Sequence, residues 1–180
     1  MSGIPCLYVS MLTCFLISMV LPIVKLPSEV LRRPVEDITF PLSKDVRRLI
    51  RDMLDTVVKA DGIGLAAPQV GRNLNMAIVF LQSADIAPFV IINPKIVATS
   101  SEPHTIEEGC LSLPGVFGMV ERPKKVTVEF YDLEGNKQTV DDDGWIARVC
   151  QHEIDHLLGT LIIDKMDSVT QGSELLPLYQ

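Results

Sequence analysis

The chain has 180 residues, of which 47% are hydrophobic and 22% charged, with a formal net charge of -7. That length and composition fit one globular domain with a substantial core and exclude a disordered chain. The acidic balance leaves no broad basic surface to neutralise phosphates, which excludes a general nucleic-acid binder.

From Met1 to Val24 there is no charged side chain, and residues 4–24 are mostly apolar, long enough for a membrane span or a signal-peptide core. The stretch lacks the basic start and the clear cleavage site of a secretory signal, and it contains Pro5 and Pro22. Met19 opens a run, Val20-Leu21-Pro22-Ile23-Val24-Lys25, that reads as the start of a soluble domain. Residues 1–18 are therefore read as an N-terminal extension. It is either dispensable, lying upstream of the true start, or it serves organelle targeting or membrane anchoring. Residues 19–167 form the main domain and 168–180 a short C-terminal tail.

Residues 43–60 give the clearest helix. Val46, Leu49, Ile50, Met53, Leu54, Val57 and Val58 follow the i, i+3, i+4, i+7 pattern, Ser43 suits the N-cap and Gly62 ends the pattern. Residues 61–71, dense in glycine, alanine and proline, read as a loop, and residues 75–81 and 89–93 as strands. His104 falls in the polar stretch 100–105 and is expected in a solvated loop, and Cys110 lies in a second loop beside Gly109. Residues 125–131 alternate in polarity and turn through 132–136 into a second strand ending near Val140, a hairpin. Asp143 is placed to cap a helix from about Gly144 to Leu158, closed by Gly159. On that helix Trp145, Val149, His152 and His156 share one stripe, so the apolar pair either packs in the core or walls a pocket beside the histidines. The expected architecture is α+β, with antiparallel strands around a central helix.

That helix carries His152-Glu153-Ile154-Asp155-His156, an H-E-x-x-H run. Histidines four apart on a helix lie about 40° apart around its axis, so both imidazoles can reach one ion while Glu153 handles protons beside them. A catalytic site needs a third protein ligand and one open position for water. Cys110, in Glu108-Gly109-Cys110-Leu111-Ser112, is the candidate, since coordination would hold its thiolate deprotonated. Cys6 and Cys14 lie in the leader and Cys150 on the helix away from the histidine stripe. No disulfide is expected in a core of this size, and a reducing compartment follows. A zincin-type protease shares H-E-x-x-H but needs a downstream ligand, and Glu174 and the other acids after Gly159 offer no convincing one. A non-enzymatic metal-binding chain would have no use for Glu153 beside the ligands.

Three segments together resemble the signature motifs of peptide deformylase: Gly62-Ile63-Gly64-Leu65-Ala66-Ala67-Pro68-Gln69, Glu108-Gly109-Cys110-Leu111-Ser112 and Gln151-His152-Glu153-Ile154-Asp155-His156-Leu157. They stand in the family's order, and the resemblance covers roughly residues 20–167. It implies the family's α+β fold, with the motif helix held by sheets. It implies metal ligation by Cys110, His152 and His156 with water in the fourth position, and Glu153 as general base and then acid. Gln69 and the Leu111 N–H would hold the oxyanion and Gly64 would bond the substrate backbone. Ile63, Ile106, Trp145 and Val149 would border a methionine pocket, although Trp145 is bulkier than the aliphatic residue many members have there. Glu108 and Arg122 would pair behind the ligands. The implied cofactor is one divalent ion, Fe2+ natively with Zn2+ or Ni2+ as substitutes, whereas coordination type alone suggests zinc. The implied reaction removes the formyl group from N-formyl-methionyl nascent peptides as formate, with transient ribosome proximity and no direct nucleic-acid binding. In a bacterium or phage the address is cytoplasmic, a targeting leader would make it a plastid or mitochondrion, and membrane association follows only if the leader is retained. The leader and the short, weakly charged end after Asp167 depart from the usual bacterial pattern, in which many members continue into a basic helix.

Overall fold

A computed structural model describes residues 19–82 and 86–179, so the role expected of the 1–18 extension lies outside the described residues. Helix α1 (Lys44–Lys59) begins where the Ser43 hydroxyl accepts from the Val46 N–H at 3.2 Å. It buries Leu49, Ile50, Met53 and Val57, each worth roughly 1.5–3 kcal/mol of transfer from water when fully buried. Val58, expected on the apolar face, is exposed instead, and the buried positions include Asp52 and Thr56. Those two polar groups are satisfied by the incoming chain: Met19 N–H donates to Asp52 Oδ1 at 3.0 Å and Leu21 N–H to Thr56 Oγ1 at 2.8 Å.

The remaining chain forms two antiparallel sheets and a second helix. The strands are β1 (Gly64–Ala66), β2 (Met76–Val79), β3 (Phe89–Thr99), β4 (Pro103–Cys110), β5 (Leu113–Pro123), β6 (Val126–Tyr131), β7 (Lys137–Asp142) and β8 (Met166–Gln171). The larger sheet has the order β1-β2-β3-β6-β7 and the smaller β4-β5-β8, every pairing antiparallel. Helix α2 (Trp145–Leu157) follows β7. Side chains of β2 alternate: Ala77 and Val79 join α2's cluster with Val149, Ile154 and Leu157, whereas Met76 and Ile78 join Leu49, Met53 and Val57 of α1. The two helices therefore cover opposite faces of one sheet, which explains why all four β2 residues are buried. Among the described residues no helix is long and apolar enough to cross a membrane.

Three expectations change. Residues 103–110 are strand and not loop: His104 lies exposed in β4, and Cys110 ends that strand, with a two-residue turn between it and β5. The N-cap carboxylate of α2 belongs to Asp142, not Asp143, because Asp142 ends β7 and its Oδ2 accepts from Gly144 N–H at 2.9 Å and Ala147 N–H at 2.8 Å. Asp142→Ala should cost about 0.5–2 kcal/mol of stability in denaturant melts and the exposed Asp143→Ala less than about 0.5 kcal/mol. The boundary after Asp167 falls inside β8, and the following 3-10 turn, Ser173–Tyr179, packs Leu175, Leu176 and Tyr179 near Leu113 and Val116 rather than leaving a separate tail.

Candidate active site

The site gathers three chain segments far apart in sequence. Helix α2 presents His152, Glu153 and His156, with the two imidazole centroids 5.1 Å apart and edge to face. The tip of β4 brings Cys110, whose Sγ lies 3.2 Å from His156 Nε2. The ligand atoms of Cys110, His152 and His156 all lie within 4.8 Å of one another, so a thiolate and two imidazoles converge as a metal ion requires. His152 Nδ1 is engaged at 2.9 Å by Glu108 Oε2, which leaves its other ring nitrogen for the cluster.

The electrostatics suit a cation. Burial would push the Cys110 thiol up, but the two histidines hold it well below the ordinary thiol range. Burial would lower His152, yet Cys110 and Glu108 together bring it to about 10. A divalent ion held by this cluster would take the place of the His152 proton. Glu153 is pushed up to about 7 by burial, against the pull of the histidines, a range in which a carboxyl can both take and return a proton. Its Oε2 is buried with no hydrogen-bond partner, a cost that a bound water or substrate removes.

Gln69 arrives on the 3-10 turn Ala67–Val70 and is almost wholly buried. Its Oε1 accepts from Ala66 N–H at 2.8 Å, which aims Nε2 at Ser112 Oγ (3.3 Å) and Cys110 Sγ (3.5 Å). A cleft of about 540 Å³ opens here, lined by Ile63, Gly64, Gln69, Leu111, Trp145, Val149, His152 and Glu153 among others. Trp145 is 60% exposed at its edge, so it serves the cleft and not the core, whereas Val149 is buried and belongs to both. Ile106 is half-buried on β4 and is not among the lining residues.

Behind the ligands, Arg122 grips Glu108 with two bonds (2.7 and 3.0 Å) and reaches Asp155 Oδ2 at 2.5 Å. Arg122 is thus buried in an ion network and not a solvated surface charge. Asp155 also pairs with Lys165 at 2.9 Å, and Arg148 approaches Glu108 from α2. Asp155, Arg148 and Ser112 escape a reading of the sequence alone. The available signal for Arg148 is a lone arginine within an apolar helical turn. Cys150 is fully buried and its thiol pushed up to about 12 by burial, which keeps it inert.

Comparisons with known proteins agree with this geometry. The polypeptide deformylase family model matches residues 20–172. The chain is 47% identical over 148 residues to a peptide deformylase of Rhizobium meliloti, covering 79% of this chain and 83% of that one. A crystal structure of a peptide deformylase from Synechococcus elongatus in complex with actinonin superposes with a TM-score of 0.77 at 43% identity, covering 82% of this chain and 79% of that one. The class I type b peptide deformylase of Acinetobacter baumannii with Met-Ala-Ser bound gives a TM-score of 0.79 at 33% identity, covering 83% of this chain and 100% of that one. Fold, cluster and relatives lead to one conclusion: this chain belongs to the polypeptide deformylase family of enzymes.

Proposed function

We propose that the enzyme hydrolyses the N-formyl group of formyl-methionine at the start of newly made polypeptides, releasing formate and a free amino terminus. The observation that carries this reading is the convergence of Cys110, His152 and His156 at a cleft that Cys110, His152, Glu153 and Gln69 line. Cys110, His152 and His156 would hold one divalent ion, Fe2+ natively with Zn2+ or Ni2+ as substitutes, and that ion would supply Lewis-acid polarisation. Glu153 takes a proton from the attacking water at its carboxylate and delivers it to the departing amine nitrogen. Gln69 Nε2 and the Leu111 N–H, both on the cleft, donate to the oxygen that gains charge as the formyl carbon becomes tetrahedral. Gly64 bonds the substrate backbone, and Ile63, Val149 and Trp145 border the methionine side chain. Ile106, half-buried on β4, would complete that border only if the cleft widens towards β4, since it is not among the lining residues. The Met-Ala-Ser bound to the Acinetobacter relative supports a cleft that receives a peptide beginning with methionine.

Gly64 tests the fit directly. A Cβ there would stand 2.2 Å from Glu153 Oε1 and 2.9 Å from Val149 Cγ1, so the carboxylate must move. Displacing a catalytic group by an ångström costs about a hundredfold, and Gly64→Ala should lower kcat by that order while circular dichroism stays unchanged. Specificity rests on the small formyl group, which a tight site admits while excluding bulkier acyl groups. Acetyl-Met-Ala-Ser should therefore turn over far more slowly than formyl-Met-Ala-Ser, and comparable kcat/KM values would refute the steric account.

The substrate places the enzyme near the ribosome exit, with nascent chains as its partners and no contact with nucleic acid required. The address follows the 1–18 extension: cytoplasm for a bacterial or phage protein, an organelle if the extension targets it, a membrane only if it is retained. Fractionating the full chain against one begun at Met19 decides among these. The primary test is formate release from formyl-Met-Ala-Ser by protein prepared without oxygen. Turnover that disappears in Glu153→Ala supports the reading, and inactivity of folded, metal-loaded protein overturns it.

A further inference from the structure

Arg148 is buried on α2, one turn before His152, in company with Ile146, Ala147, Val149 and Cys150. A guanidinium in such surroundings is expensive unless its donors are met. Here Nη1 and Nη2 are met from the two strands of one hairpin, while Nε, which has no hydrogen-bond partner, lies against the acid that the hairpin carries. Nη1 donates to the His104 carbonyl of β4 at 2.8 Å, Nη2 donates to the Val120 carbonyl of β5, and Nε faces Glu108 Oε1. Arg122 already holds Glu108 from β5, so the carboxylate has a counter-charge without Arg148. What Arg148 adds is a tie between elements: it joins the helix bearing both histidines to the hairpin whose tip bears Cys110. Its Nε also lies in ion-pair contact with the carboxylate that holds the His152 ring.

We propose that Arg148 is a positioning residue for the metal centre, setting the separation between the Cys110 hairpin and the histidine helix through its hydrogen bonds to the His104 and Val120 carbonyls and its ion pair with Glu108. The inference rests on reading Cys110, His152 and His156 as the ligands. A planar fork with donors pointing in several directions suits three acceptors on two strands, whereas a lysine ammonium keeps the charge but cannot span them all.

The test is the affinity of the full chain for Zn2+, read by competition with a chromophoric chelator, for wild type, Arg148→Lys and Arg148→Gln. Groups that orient metal ligands from behind typically cost about 10–100-fold in affinity when removed, and Arg148→Gln should lose that much, with Arg148→Lys between it and wild type. Arg32→Gln is the control for lost stability alone. It breaks the Arg32–Asp164 pair (2.7 and 2.9 Å) and should lower the melting temperature of metal-free protein without moving the Zn2+ affinity. Wild-type affinity in both Arg148 variants overturns the proposal, and if Arg148→Gln does not fold, wild-type affinity in Arg148→Lys alone overturns it. Affinity that falls equally in Arg32→Gln overturns it too, because stability would then be the cause. Zn2+ binding by the wild type that Cys110→Ala leaves unchanged refutes the ligand assignment itself, a separate failure.

Discussion

Glu153→Gln is expected to cut kcat by about 10²–10⁴-fold, the range that general acid–base catalysis supplies, while leaving the metal content unchanged. The substitution keeps the size of the side chain, so Gly64 still fits against it and the helix is undisturbed. What it removes is the ability to accept a proton, and with it the ability to return one to the leaving nitrogen. The residue is buried beside the two histidines with one oxygen lacking any partner. An amide there can still orient a water molecule but cannot deprotonate it. Steady-state formate release beside metal analysis checks both halves. Retained turnover would remove Glu153 from the reaction, and lost metal would make its role one of assembly.

Cys110→Ala should be equally severe by another route. Removing a group that orients a ligand costs about 10–100-fold in metal affinity, so removing one of three ligands should exceed that range. The two histidines would remain on α2 with no third ligand facing them from the tip of β4. Binding to the folded state stabilises it by about 4 kcal/mol at a thousandfold excess over Kd, so wild-type protein should melt higher with metal than with a chelator. In Cys110→Ala that difference should shrink towards zero, with turnover at background. A variant whose melting temperature still rises with metal would place the ion elsewhere.

Much of this arrangement was legible in the residues themselves, but not evenly. Helix α1 and the hairpin β6–β7 declare themselves because their buried faces repeat at 3.6 and 2 residues. The hairpin β4–β5 does not. Gly109, Pro114, Gly115, Gly118 and Pro123 interrupt its pattern, and half of β4 is exposed. Its cohesion comes from ladder pairing and from the buried Glu108–Arg122 pair, neither of which has a local signature. The same difference governs the site. His152, Glu153 and His156 are adjacent on one helix and advertise their chemistry by spacing. Arg148 touches acceptors 28 and 44 residues away and Asp155 an arginine 33 residues away, partners that only the folded chain brings together. The displaced cap is a smaller case: the choice between Asp142 and Asp143 depends on where β7 stops, which periodicity does not settle.

Strand β8 and the turn after it close the edge of the smaller sheet, with Gly172 packed so tightly on Gly115 that a Cβ would come within 2.0 Å of its carbonyl oxygen. Seen in the order of synthesis, this seam is made after both helices and the other strands. While residues 166–179 are still missing, β5 has no neighbour on its outer side, and the wall of the cleft from Leu113 to Phe117 lacks the apolar support of Leu175 and Tyr179. An enzyme that would serve unfinished chains thus completes its own working face only after β8 and the turn behind it have been made. Every unfinished copy holds the histidines and the cysteine before it holds the surface that makes them useful.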